Sequence, residues 1–406
     1  MRRINPDRFQ VATRGTSREI NSRIVLSLVR ERQPISRADL ARAMGVSRAA
    51  VTLIVNDLLA QRLVVEQPAT KTMRGRRPLY LSINARRRSV AAVDIRATET
   101  FLQLMDLNGH PISPVVAVRS ARDPKRLVAT IARRVASLLA EFNDVGGCEG
   151  LGVIVPGMVE RTTMRVLHAP TLGWRDVDIR DPLATATGLP VQIENSGRAC
   201  ALAQWWSLRE RRSPVHGDLV FVSVSDGVGV GVVMGGEVLR GSHNIAGEFG
   251  HVPLSLDGPR CSCGANGCWE AYVSNLATLA RYFGRPARYG PQPAEERPFS
   301  VSDLVVCARG GDVKALASLH ATARYLGLGL ASVINALNPG FVVIGGEITE
   351  AWDLIEGIVR SALGERALTP AAAATDIRTV AASEHPRLQG AAALVIAPSF
   401  AAPVVA

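Results

Sequence analysis

The chain is short of aromatic residues and nearly devoid of lysine: Phe, Trp and Tyr make up 5% of 406 residues, and Lys71, Lys125 and Lys314 are the only lysines. Long apolar runs are missing as well. The longest uncharged stretch, Tyr325 to Gly346, is interrupted by Asn335, Asn338, Pro339 and several glycines, which suits a buried helix followed by a buried strand and not a membrane span. The opening residues, MRRINPDRFQVATRG, hold no apolar segment of the signal-peptide kind, so the expectation is a cytoplasmic protein with no membrane partner. Cysteine is sparse. Of the six, Cys148, Cys200 and Cys307 are scattered, as in a reducing compartment where thiols stay free. With 47% hydrophobic residues, the length allows two or three domains, each with its own core.

Charge is present but unevenly placed. Residues 1–90 carry 19 Arg and Lys against 6 Asp and Glu, whereas the rest of the chain carries 28 against 30. The whole net charge of +11 therefore sits at the N-terminal end. A basic module on a near-neutral body is the electrostatic pattern of nucleic-acid binding.

The other three cysteines fall in one loop, Gly247 to Glu270, reading GEFGHVPLSLDGPRCSCGANGCWE. His251, Cys261, Cys263 and Cys268 make a Cys3His set that can fill the four tetrahedral positions of a structural Zn2+. Reduced thiols in a glycine-rich loop, or a disulfide, are the alternatives. Three cysteines leave one unpaired in the disulfide case. Glu248 and Glu270 flank the ligands and are free to accept hydrogen bonds from polar groups such as sugar hydroxyls; ordinary surface carboxylates are the alternative.

The run GEFGH followed by C-x-C-G-x-x-G-C-x-E resembles the signature of the ROK family (repressors, open reading frames, kinases). That resemblance implies that His251 and the three cysteines hold zinc, and that Glu248, His251 and Glu270 line a sugar pocket, with Asn195 of the segment VQIEN a fourth sugar contact. It also implies an actin-like sugar-kinase fold of two α/β subdomains over residues 91–400. The first subdomain is expected at about 91–197 plus the closing helix 388–400, and the second at about 198–387.

Ahead of that body, a short arm (1–15) leads into a pattern of three helices. Thr16 or Ser17 can cap the first, which carries Ile20, Ile24, Val25, Leu28 and Val29 and ends near Pro34. Ser36 opens the second, with Asp39 in a capping-box position, and Leu40, Ala41 and Met44 face inward. Gly45 makes the turn, Ser47 caps the third helix, and Val51, Ile54, Val55 and Leu58 bury it. Two strands, Leu63–Val65 and Leu79–Ile83, then enclose a loop with Arg74, Arg76 and Arg77. The whole reads as a winged helix-turn-helix over residues 16–85, joined by a linker at 86–90. Ser36, Ser47, Arg48, Ala49 and Thr52 are the expected contacts to operator DNA at the helices. The wing arginines would track phosphate. ROK repressors resemble this arrangement, whereas the kinases lack it.

Relative to the kinases of the family, three departures stand out. Their catalytic Asp is Ser196 here, and a serine hydroxyl cannot act as a base near neutral pH. Their first phosphate loop, Asp-x-Gly-Gly-Thr, reads Asp94-Ile95-Arg96-Ala97-Thr98, without either glycine. Their second, Gly-Thr-Gly-x-Gly, reads Ser225-Asp226-Gly227-Val228-Gly229, with a carboxylate where phosphate would lie. The resulting expectation is a repressor of carbohydrate genes, not an enzyme, that binds operator DNA, senses a sugar or sugar phosphate and forms a homodimer or dimer of dimers. A sugar kinase with an appended DNA-binding domain, or a DNA-binding scaffold controlled by a protein partner, are the competing readings.

Overall fold

The structure is a computed structural model that describes residues 14–68, 79–85, 88–143, 146–210, 217–287 and 299–400. Its N-terminal helices form for the local reasons visible in the chain. Ser36 Oγ accepts from the Asp39 backbone N–H at 3.2 Å while the Asp39 carboxylate accepts from the Ser36 N–H at 3.3 Å, a reciprocal cap on the helix Arg37–Met44. Gly45 stops that helix at φ +65°, a left-handed conformation that costs glycine little. Ser47 Oγ then accepts from the Ala50 N–H to start the helix Arg48–Ala60. The two helices meet at 118°, within the range of a helix-turn-helix. The first helix departs from expectation. Among the described residues it runs from Arg14 to Arg32, so Thr16 and Ser17 lie inside it and not at its N-cap; a cap is worth only ~1 kcal/mol, too little to fix where a helix starts. Leu26 is buried on it and Ile24 is exposed.

Strands Val64–Pro68 and Leu79–Ile83 pair antiparallel, with Val64 opposite Ile83, and Ile35 bridges to Leu81. This is the winged element. Arg74, Arg76 and Arg77, expected at its tip, lie outside the described residues, as do Arg86 and Arg87 of the expected linker.

The body is built from two five-stranded sheets of the same design. In the first, Ser89–Ile95, Glu99–Asp106 and Val116–Arg119 form an antiparallel meander, and Cys148–Val155 and then Val191–Asn195 add in parallel beside the first strand. In the second, Leu219–Val224, Val228–Met234 and Glu237–Val238 form the meander, and Phe341–Gly345 and Asp376–Thr379 add in parallel. The central strands Ser89–Ile95, Cys148–Val155 and Phe341–Gly345 are buried along nearly their whole length, as strands covered on both faces require, whereas the edge strand Asp376–Thr379 buries only Ile377.

Two helices sit where the halves meet, Ser196–Glu210 and Pro386–Phe400. Both approach their neighbours at glycines. A Cβ on Gly152 would overlap the Ala391 carbonyl, and one on Gly231 would overlap the Gly197 carbonyl. The closing helix also carries the winged element. Ser27 Oγ donates to the Phe400 carbonyl at 2.6 Å, and the Arg30 guanidinium lies 4.5 Å from the Phe400 ring centre and 5.0 Å from that of Trp206. Val25, Leu26, Val29 and Leu40 share one apolar cluster with Val90, Leu388 and Ile396 of the body.

Leu40 is fully buried in that cluster. Leu40→Ala is expected to destabilise the winged element by about 2–5 kcal/mol, read as a urea transition at lower concentration by far-ultraviolet circular dichroism.

Candidate functional site

The strands of both sheets end at a common cleft of about 800 Å3, counted with its solvent-open mouth. The first sheet delivers Asn195 and Ser196 at the end of its outer strand, and the turn that joins Leu219–Val224 to Val228–Met234 delivers Ser225 to Gly229. Glu248, His251, Ser262 and Glu270 of the cysteine loop close one side, and Arg96 and Arg387 the other.

The cysteine loop brings together all four residues expected there. One ligand atom from each of His251, Cys261, Cys263 and Cys268 lies within 4.8 Å of all the others. Cys263 Sγ is 3.7 Å from Cys268 Sγ, and Cys261 Sγ is 3.6 Å from His251 Nδ1. A tetrahedral ion with bonds of ~2.3 Å to sulfur and ~2.0 Å to nitrogen sets these separations near ~3.8 Å and ~3.5 Å, so these two pairs are spaced as zinc ligands would be. A disulfide requires ~2.05 Å, and the six cysteines are all free. Burial pushes the Cys261 and Cys268 thiols above their ordinary range. His251 turns Nδ1 to the cysteines and Nε2 to the cleft, where Glu248 lies 3.9 Å away.

Glu270 ties this loop to the opposite wall. Its Oε2 accepts from the Val228 N–H at 3.0 Å and its Oε1 from Ser262 Oγ at 2.6 Å. The loop 225–229 thus hangs on a carboxylate that the cysteine loop also holds. Glu248 is partly buried, and burial raises its carboxyl above the usual range, opposed by His251 and Arg198. Asn195 is engaged at both ends of its amide: Nδ2 donates to the Gly157 carbonyl at 2.8 Å and Oδ1 accepts from the Arg198 N–H at 3.2 Å.

The far side of the cleft holds what sequence reasoning missed. Asp94 is fully buried and accepts from Arg387 at 2.8 and 2.6 Å and from Arg96 Nε at 2.8 Å. Arg96 reaches on to Glu347 at 3.3 Å, and Glu347 accepts from Asn275 Nδ2 at 2.9 Å. Burial alone would raise the Asp94 carboxyl, but the two guanidiniums outweigh it and hold it below the ordinary range. Beside Asn195, Glu194 is likewise clamped between Arg198 at 3.0 Å and Arg240. Asp94 and Arg387 are 293 residues apart, and only the fold joins them.

At the other end of the chain, Arg48 and Ala49 are exposed at the start of their helix, while Thr52 is half-buried and donates to the Arg48 carbonyl at 2.7 Å. Ser36 and Ser47 act as caps. The outward stripe continues through Leu53, 68% exposed, and Asn56, whose Oδ1 accepts from Arg37 at 3.0 Å.

Residues 90–397 match the ROK family and residues 20–74 the MarR family. The chain belongs to the ROK family. It is 26% identical to the xylose repressor of Bacillus subtilis over 359 residues, which is 88% of this chain and 90% of that one. A glucokinase of Streptomyces coelicolor is 30% identical over 277 residues, 66% of this chain and 84% of the kinase. Among solved structures, a ROK family transcriptional regulator described as a homolog of the Escherichia coli MLC protein matches with a TM-score of 0.76 at 26% identity, covering 95% of this chain and 97% of that one. A ROK glucokinase of Streptomyces griseus, solved with glucose and AMPPNP, has a TM-score of 0.63 at 24% identity over 75% of this chain and 98% of its own, a likeness of fold. The actin-like fold and the winged N-terminal element expected from the sequence are thus both present. The ROK chain resembles repressors through its winged element and body together, and kinases through the body alone.

Removing one side of the Asp94 clamp leaves a buried charge unpaired. Arg387→Ala is expected to cost the body about 3–5 kcal/mol at pH 7, measured by chemical denaturation. Because Asp94 titrates lower in the folded than in the unfolded state, its contribution is complete above pH ~4 and drains away as the pH falls below that value. The stability gap between the parent and Asp94→Asn should therefore shrink in acid.

Proposed function

We propose that this ROK chain is a DNA-binding transcriptional regulator, a repressor of carbohydrate uptake or catabolism genes, whose body senses a sugar or sugar phosphate and carries no kinase activity. The observation that carries this reading is the Asp94–Arg387–Arg96–Glu347 network. It fills with guanidinium side chains the wall that kinases keep as glycine for nucleotide phosphates, on a body joined to a winged helix-turn-helix. Ser196 at the former base position removes the proton acceptor as well.

The recognition helix would enter the major groove with Arg48 and Ala49 foremost, and Ser47 and Thr52 beside them. Ser36 would approach the backbone, and Arg74, Arg76 and Arg77 of the wing would meet phosphate. A homodimer, or a dimer of dimers, in the cytoplasm would place two such helices on a palindromic operator. Sugar contacts fall to Glu248, His251 Nε2, Asn195 and Glu270. Zinc is the ion that the Cys3His set fits, and it would supply folding energy to the loop.

Pocket and winged element are physically joined. The helix Ser196–Glu210 begins at the cleft and carries Trp206 against Arg30 of the first helix. A sugar that favours one arrangement of the two halves can shift DNA affinity along that path, by as much as its affinities for the two states differ.

The test is a mobility shift at fixed salt on the chain's own upstream region, titrated with sugars and sugar phosphates. Release by one of them is expected, and binding that none alters would exclude the sugar-sensing half. Arg48→Ala should weaken DNA binding about tenfold, in line with the loss of one base or phosphate contact. For the ion, purified protein should hold one zinc per chain by plasma emission, and Cys261→Ser should lose it and melt at lower temperature.

A further inference from the structure

Around the cleft three carboxylates are committed. Asp94 holds two arginines, Glu347 holds Arg96 and Asn275, and Glu270 holds Val228 and Ser262. Asp226 is different. It lines the cleft, yet among the described residues it has no hydrogen-bond or salt-bridge partner. Burial, with Glu347 nearby, raises its carboxyl above the ordinary range. Asp226 is only partly buried, so water reaches its oxygens from the cleft, and a ligand that displaces this water must bring donors of its own or leave the carboxyl unpaired.

Its position is fixed. On one side the Ser225 carbonyl accepts from the Asn275 N–H at 2.7 Å; on the other the Val228 N–H is held by Glu270. Gly227 between them has no room for a side chain, since a Cβ would sit 2.7 Å from Glu270 Oε2. Charge narrows the ligand further. The lining holds two cations, Arg96 and Arg387, and three carboxylates, Asp226, Glu248 and Glu270. Both cations are already spent on Asp94. An added phosphate would meet Asp226 and Glu248 at short range with no cation left to pair it, whereas hydroxyl groups would give these two carboxylates hydrogen-bond donors.

We infer that Asp226 is an effector-binding residue, accepting hydrogen bonds from an uncharged saccharide that extends from Glu248 and His251 toward the former phosphate loop, and that the cleft rejects sugar phosphates. This rests on the chain being a sugar-responsive regulator, and it decides between the two ligand classes which that reading leaves open.

The experiment is isothermal titration calorimetry of the full-length, zinc-loaded protein. The probes are xylose, glucose, N-acetylglucosamine, xylobiose, cellobiose and maltose, with glucose 6-phosphate and N-acetylglucosamine 6-phosphate as the charged set. At least one uncharged saccharide should bind, with each phosphate at least tenfold weaker. Asp226→Asn, nearly the same size, should weaken that saccharide tenfold or more, and Asp226→Glu, which keeps the charge but moves the oxygens, should weaken it as well. Melting curves on both variants establish that they are folded. A sugar phosphate that binds as tightly as the best neutral saccharide would overturn the inference, as would an Asp226→Asn affinity within twofold of the parent's. Absence of binding by every neutral saccharide would do the same. Calorimetry reads the sugar whether or not DNA is bound. A protein that shifts its upstream DNA but fails these titrations loses this inference alone, while one that shifts no DNA loses the regulator reading.

Discussion

Everything on the far wall of the cleft depends on how one buried carboxylate is neutralised. Asp94 stands at the end of a central strand with no access to water, and an ionised group there is stable only with its partners in place. Arg387 reaches it from the closing helix and Arg96 from the loop that follows the strand. That choice has consequences on both sides. It ties the closing helix to the first sheet, and it sends Arg96 across to Glu347 of the second half. The two halves of the body are therefore held by charge at the place where a kinase of the same fold leaves backbone open to phosphate.

A second chain of contacts runs along the opposite wall. The Cys3His set positions His251, the same loop presents Ser262 to Glu270, and Glu270 holds the loop that displays Asp226. Loss of order in the cysteine loop would thus be felt in the cleft wall directly, and at the loop that displays Asp226 through Glu270. The helix that leaves Ser196 runs from the cleft to Trp206, and the closing helix runs to Phe400, the two rings that meet Arg30. The winged element shares apolar core with those helices; it does not hang from a bare tether.

Much of this was legible in the chain because the signals were local. Ser36 with Asp39, Gly45, and the period of Val51, Ile54, Val55 and Leu58 each act within a few residues, and each stands as read. So does the convergence of three cysteines and a histidine within 18 residues of one loop. The start of the first helix was misplaced because Thr16 and Ser17 have the chemistry of caps, a signal too weak to fix where a helix begins. The larger miss concerns Arg387. Its pairing with Asp94 spans nearly three-quarters of the chain, and no spacing rule connects them. Arg96 was legible only as a residue standing where the kinases' phosphate loop has glycine; its role as a cation shared between Asp94 and Glu347 needed the fold. The unpartnered state of Asp226 is likewise a property of three-dimensional surroundings.

The central claim is that this ROK body has given up nucleotide for a built-in charge network. Equilibrium dialysis with radiolabelled ATP and Mg2+, in the presence of saturating saccharide, tests it directly. The account predicts no saturable binding up to millimolar ATP. Saturable binding at submillimolar ATP would mean that Arg96 and Arg387 leave Asp94 for the phosphates, and would contradict it.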